Sequence, residues 1–217
     1  AIDGLVIEAR RVTAAGASAR DVTLAIDLAE PSRPATRLQA ARIDLDGGLG
    51  RITRLEMHCA STLLDAPRPG CARLQVRSRD SPIGPLEFVA AAGYDLEHQV
   101  FDARGRRIPL GGGLAQFTVV RTSTDWSVAT GLDGVTLPGL RNWLSKFVTL
   151  PPDLAVEGRI DGRASLRGRE SLDAGQLSLT LSRAGFSNEA GTTVGENLAV
   201  NFSAELAPAA GGAIGLT

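Results

Sequence analysis

The side chains that most often carry chemistry are scarce in this sequence of 217 residues, which holds two histidines and two cysteines. Catalysis by histidine needs a second acid or base within hydrogen-bond reach. His58 lies in a run with strand character and His98 lies in a charged, turn-like stretch, so neither is predicted to be catalytic. The sequence assembles no nucleophile, base and orienting group. We therefore expect a protein that is not an enzyme and has no catalytic residues.

Metal and phosphate chemistry are not indicated by the sequence either. A structural zinc site takes about four nitrogen or sulfur ligands at suitable spacing, and two cysteines with two scattered histidines fall short. The glycine run 111–113 lacks the spacing of a phosphate-binding loop and precedes a strand-like segment, so it predicts a turn. Carboxylate pairs such as Asp44 and Asp46 are common in acidic turns. We expect no metal site and no cofactor.

The two cysteines, Cys59 and Cys71, flank a segment that must turn because it contains Pro67, Pro69 and Gly70. Strand-like runs abut both cysteines, and antiparallel pairing of those runs would bring the thiols together. A disulfide there would restrict the loop by about 3 kcal/mol in the chain-entropy model. We predict this disulfide, and it implies an oxidising compartment. The alternative is a pair of reduced residues in the core.

Composition and charge narrow the class of protein. The sequence is 43% hydrophobic and 22% charged, which is ordinary for a globular domain and argues against disorder or a multi-span membrane protein. Its 23 basic and 24 acidic residues are interleaved, so we expect no nucleic-acid partner. The breaker-rich end and the absence of an apolar leader suggest a piece of a longer protein, whose membrane attachment would lie outside this chain.

Alternation of apolar and polar residues is the dominant pattern, as in Val22, Leu24 and Ile26, and it predicts strands with one buried face. Turn-forming residues recur between these runs, at 31–34, 46–48, 67–70, 111–113, 133–134 and 161–162. Short, evenly spaced strands are typical of an antiparallel meander. The predicted fold class is all-β, with the meander forming a curved groove or an open sandwich.

One segment departs from this alternation and predicts a short amphipathic helix near 137–148. Thr136 is available as a cap, Pro138 falls in the first turn, and the prolines at 151 and 152 end the element. The helix would plug an open end of the β core, or act as a gate or docking element. The apolar residues at helical spacing are Leu140, Trp143, Leu144 and Phe147.

The predicted organisation has three parts, which could also form one continuous domain. Residues 1–135 form a β-rich segment with the cysteine loop, residues 136–150 hold the helix, and residues 151–217 form a β-repeat segment. A weak repeat of Gly-bounded strands runs through 35–54, 154–169 and 174–206. Alternation alone is compatible with both a filled sandwich and an open trough, and of these two the filled sandwich is favoured.

A resemblance bears on that choice. Residues 154–206 contain strands joined by small turns and the phrase "LSLTLSRAGFSNEAGTTVGENL", and they resemble the AsmA-like and TamB-like bacterial envelope proteins, in particular the YdbH-type members. The segment 131–140 is similar to the point in that group where a strand runs into a short helix. The matching positions are Gly158, Ile160, Gly162, Leu177, Leu179, Leu181, Phe186, Ser187, Asn188, Gly191, Gly195, Glu196 and Leu198.

The resemblance implies a function in lipid transport. Such proteins are anchored in the inner membrane, lie mostly in the periplasm and are thought to conduct phospholipids along a β-groove towards the outer membrane. The expected ligand is phospholipid or another amphiphile, with envelope proteins as further partners. The residues expected to line the groove are Leu177, Leu179, Leu181, Leu198, Val200 and Phe202. The alternative is an assembly module of an envelope machine, similar to the N component of type II secretion, which binds partners by β-augmentation.

Overall fold

The computed structural model describes residues 3–14, 17–45, 50–64, 67–82, 84–144, 155–169, 171–187, 194–208 and 214–216. These residues form thirteen strands and one short helix. Every pair of neighbouring strands with a described register is antiparallel, as in the pairing of Gly4 with Asp27 between the first two strands. The predicted all-β, antiparallel meander with one short helix is confirmed.

The chain divides into two compact units, Ala1–Gly105 and Arg106–Thr217. The first unit contains six complete strands, each hydrogen-bonded to the next in sequence, and the seventh strand begins in it. The six strands and the seventh are β1 (Gly4–Ala14), β2 (Ala17–Asp27), β3 (Ala35–Leu45), β4 (Gly50–Cys59), β5 (Gly70–Ser78), β6 (Leu86–Asp95) and β7 (Val100–Leu110).

The second unit begins in β7 and repeats the same simple connectivity, with one helix after its second complete strand. Its elements are β8 (Gly113–Arg121), β9 (Trp126–Thr136), α1 (Leu137–Leu144), β10 (Ala155–Gly168), β11 (Leu172–Ser187), β12 (Val194–Pro208) and β13 (Ile214–Leu216). The strands β10, β11 and β12 have 14, 16 and 15 residues. They are longer than the short strands that the sequence predicted.

Two predicted turns lie inside strands instead, and their glycines explain the error. The pair Asp133 and Gly134 belongs to β9, where Gly134 has a φ of 60°, so this glycine supplies a left-handed residue within a strand. The pair Asp161 and Gly162 belongs to β10. A Cβ on Gly162 would lie 2.5 Å from a side-chain carbon of Leu179, so the glycine makes room for that leucine. The predicted turn at 31–34 lies between strands, as do those at 67–70 and 111–113 except for their last glycines, which begin β5 and β8.

The helix α1 begins as the sequence predicted. The Gly139 backbone N–H donates to Oγ1 of Thr136 over 3.2 Å, which is an N-cap hydrogen bond. Oγ1 of Thr136 in turn donates to the Gly111 carbonyl over 2.7 Å and ties the cap to the turn between β7 and β8. Leu140 is buried. The side chains of Trp143 and Leu144, and all of Phe147, lie outside the described residues, as does the predicted stretch 145–148.

The disulfide between Cys59 and Cys71 is present, with Cα atoms 6.1 Å apart. Cys59 ends β4 and is buried, while Cys71 lies at the start of β5 and pairs with Ala92 of β6. The intervening loop makes an isolated bridge between Leu63 and Gly70. A disulfide of this kind is compatible with an oxidising compartment.

Buried apolar side chains are mostly small in the described part of the chain. They are Ala40, Cys59, Val76, Ala90, Ile108, Val135, Leu140, Ala184 and Ala204. Most large apolar residues of the strands are instead half-buried or exposed, in contrast to a filled sandwich whose inner faces bury their large side chains. The alternating apolar positions therefore form a surface more than a core.

Candidate functional site: an apolar face on β8 to β12

Strand register brings the apolar positions of the second unit onto one face. Residues directly opposite each other in an antiparallel pair project to the same side of the sheet. Leu177 of β11 is opposite Ala164 of β10 and Ala204 of β12, and Ala164 is opposite Thr130 of β9. Thr130 is opposite Phe117 of β8, so one transverse row crosses five strands.

Three parallel rows extend this surface because alternate residues along a strand share a face. We call the whole set the apolar face. One further row contains Val119, Val128, Leu166, Gly175 and Leu206; another contains Ala115, Leu132, Gly162, Leu179 and Phe202; the last contains Val135, Ile160, Leu181 and Val200. The last of them is reached in β9 across a register shift, because Ile160 and Gly162 are opposite Val135 and Leu132.

The opposite face of the same strands is polar. One polar row begins at Gln116 of β8, which lies between Ala115 and Phe117 in sequence and is opposite Gly131 of β9. It continues through Arg163 of β10 and Ser178 of β11 to Ser203 of β12. The sheet is thus amphipathic, with one side suited to hydrocarbon and the other to water.

Much of the apolar face is accessible. Phe202 and Val200 are 46% and 49% exposed, and the leucines at 177, 179 and 181 are half-buried. Apolar surface left in water costs about 25 cal/mol per Å². A contiguous apolar surface that is only partly covered is typical of an interaction site.

Register shifts limit the uninterrupted part of the apolar face. Between β11 and β12 the pairing changes after Leu181, and the next pair joins Ala184 to Leu198. Arg183 and Asn197 have φ values of 49° and 53° at this point, where bulges increase the local twist. Leu198 therefore borders the four rows across a bulge and is 41% exposed.

The six residues predicted to line a groove are brought together by the structure. Five of them lie in the regular rows and Leu198 lies at their border. The residues that β8, β9 and β10 add to this face, which include Phe117, Val128 and Leu166, were not predicted from the sequence. Their alternation was visible in the sequence, but only the register shows that they share a side with β11.

Asp95, a buried carboxylate of the first unit, has a lowered pKa and a structural role. The Asp95 carboxylate is 7% exposed and accepts from Arg68 Nε over 2.8 Å and from the backbone N–H of His98 over 2.9 Å. The His98 backbone hydrogen bond, and then those of Arg68 and the His98 ring, lower the pKa of Asp95 from 3.8 to about 2, although burial opposes this shift. The carboxylate ties the turn after β6 to the cysteine loop.

An Asp95→Asn variant should unfold at a lower temperature than the wild type near neutral pH. The lowered pKa means that the ionised carboxylate stabilises the fold above about pH 4 and that this contribution is lost as the pH falls towards 2. The difference in Tm between the two proteins should therefore shrink on acidification. Thermal denaturation across this range, with Glu97→Gln as the control, checks it; a difference independent of pH would contradict this role.

The described residues hold no group of three or more His, Cys, Asp or Glu side chains placed to bind a metal ion. His98 contacts Asp95, and His58 lies within β4. Within the same described ranges, no helix has the length and apolar character needed to cross a membrane.

Comparisons with protein-family models, with curated proteins and with solved structures found no match to this chain.

Proposed function

We propose that this chain binds phospholipid or a similar amphiphile on the apolar face and conducts it along a β-groove between the inner and outer membranes of a bacterial envelope. The observation that carries the proposal is the row structure itself, in which three rows across β8 to β12 and a fourth across β9 to β12 present mainly apolar side chains to one side, while the other side is polar. An acyl chain lying on this side would cover surface that is otherwise in contact with water.

The dimensions and chemistry of the apolar face support this proposal. Five strands at a spacing of about 4.8 Å give a width of about 19 Å, and four rows at about 6.8 Å give a similar length. Hydrocarbon contact contributes about 0.8 kcal/mol for each buried CH₂ group. This attraction is non-directional, so a chain could slide from row to row without breaking specific hydrogen bonds.

The resemblance of residues 154–206 to AsmA-like and TamB-like proteins supports a periplasmic setting, with attachment to the inner membrane through a segment outside this chain. The disulfide is compatible with that compartment because it requires an oxidising environment. The proposed partners are therefore the amphiphile and other envelope proteins.

A second candidate is an assembly module that binds a partner strand at β1. This strand has one hydrogen-bonded neighbour in the sheet, β2, and its residue Val6 is 62% exposed. The Leu28 N–H donates to the Asp3 carbonyl over 3.0 Å, so the backbone groups of Asp3 point towards β2. Because successive residues of a strand point their backbone groups to opposite sides, those of Val6, three positions later, point away from β2. Free backbone groups at a strand edge are the recognition element in β-augmentation.

Extraction of the purified protein with organic solvent and mass spectrometry of the extract distinguishes the two functions. The amphiphile proposal predicts phospholipid in a reproducible ratio to protein. Protein that carries no extractable amphiphile, but crosslinks in whole cells from position 6 to another protein, would favour the assembly module and contradict lipid transport.

A further inference from the structure

Three arginines lie side by side in the first unit. Arg11 of β1 is directly opposite Arg20 of β2, and Arg20 is directly opposite Arg42 of β3. Residues in this relation project to the same side of the sheet with Cβ atoms about 5 Å apart. Like charges at that separation destabilise a sheet, so this arginine row is an unfavourable arrangement in the absence of a compensating anion.

The next row on the same side supplies hydroxyl groups. Thr13 lies two residues after Arg11 and Ser18 lies two residues before Arg20, and these two residues are opposite each other. Ser18 is in turn opposite Asp44. The hairpin of β1 and β2 therefore presents two guanidinium groups and two hydroxyls on one surface, and Arg11, Arg20 and Thr13 are all exposed.

Compensation by carboxylates is incomplete. Asp44 accepts from Arg42 Nε over 2.7 Å and from Arg51 Nε over 2.9 Å. These two arginines use both of its oxygens, and they hold the pKa of Asp44 at about 2. In the described part of the chain, no carboxylate forms an ion pair with Arg11 or Arg20. Arg11 and Arg20 thus keep their hydrogen-bond donors for another acceptor.

We propose that Arg11, Arg20, Thr13 and Ser18 bind a phosphate group, either free or in the headgroup of an anionic lipid. Guanidinium groups match the geometry of phosphate oxygens and donate paired, charge-assisted hydrogen bonds. The hydroxyls add donors beside them. A bound phosphate would remove the repulsion within the arginine row, so binding and folding of the first unit are coupled. This proposed phosphate site lies on β1 and β2 and shares no residue with the apolar face.

The test compares the wild type with Arg20→Gln and with Arg104→Gln, which removes an exposed arginine from β7 of the same unit. Thermal denaturation is followed in sodium phosphate and in sodium chloride at equal ionic strength. Phosphate should raise the Tm of the wild type and of Arg104→Gln above the value in chloride. Arg20→Gln should be more stable than the wild type in low-salt buffer without phosphate, and its apparent phosphate affinity should fall about tenfold.

Vesicle flotation identifies the source of the phosphate group. A lipid headgroup is supported if the wild type floats with phosphatidylglycerol vesicles but not with phosphatidylcholine vesicles. In that case Arg20→Gln should fail to float with either kind of vesicle. Phosphate stabilisation without flotation supports a free phosphate group. The proposal is overturned if phosphate and chloride act alike on the wild type and no flotation occurs, or if the two variants behave identically.

Discussion

Replacing Cys59 and Cys71 together with serine should lower the free energy of unfolding of the first unit by about 3 kcal/mol. The disulfide spans 12 positions of sequence and restricts the unfolded chain at the loop between β4 and β5. That loop also carries Arg68, which pairs with Asp95 at the end of β6, so loss of the disulfide would also weaken this ion pair. Denaturant titration followed by tyrosine emission measures the change, because Tyr94 is the one tyrosine of the sequence and lies in this unit.

The second unit provides the control for this experiment. Both tryptophans, Trp126 and Trp143, belong to it, so tryptophan emission follows its unfolding separately. The serine variant should shift the tyrosine transition much more than the tryptophan transition, and a reducing agent should reproduce the shift in the wild type but not in the variant. Equal midpoints for oxidised wild type and variant would show that the disulfide does not stabilise the unit.

A Phe202→Glu substitution should reduce the amount of co-purified amphiphile about tenfold. Phe202 lies in the same row as Leu179 and is 46% exposed, so glutamate there keeps access to water when no ligand is bound. A bound acyl chain would have to cover that carboxylate and remove its hydration, which is costly without a partner. The ratio of extracted lipid to protein, measured by mass spectrometry, gives the effect.

Ser203→Glu is the matched control for this substitution. Ser203 is the next residue of β12, it is exposed, and it belongs to the polar row with Ser178 on the opposite side of the sheet. The two variants carry the same new charge on adjacent positions of one strand, one on the apolar face in place of an aromatic side chain and the other on the polar face in place of a hydroxyl. Equal lipid content in both variants would contradict a binding surface confined to the apolar face.

The fold class was predictable because its signals are local. Alternation such as that of Leu177, Leu179 and Leu181 specifies a strand with two different faces, and the polar cap at Thr136 specifies the start of α1. The disulfide was predictable for a similar reason, since a turn between two paired strands brings Cys59 and Cys71 together.

Pairing between strands was beyond local reasoning. The glycines at 134 and 162 carry the residue type of a turn, but one occupies a left-handed position within β9 and the other makes room for Leu179. Neither role is visible without the neighbouring strand. The same holds for the arginine row, because Arg11, Arg20 and Arg42 are distant in sequence and meet only through register.

Site-specific photo-crosslinking at two adjacent positions of β11 tests most directly whether the apolar face binds an amphiphile. A photoreactive amino acid replaces Leu179 on the apolar face in one variant and Ser178 on the polar face in the other, and cells are irradiated before purification. If the apolar face binds an amphiphile, a phospholipid adduct forms on the peptide carrying position 179 and little or none forms at position 178. Adducts of equal yield at both positions, or no lipid adduct at position 179, would contradict it.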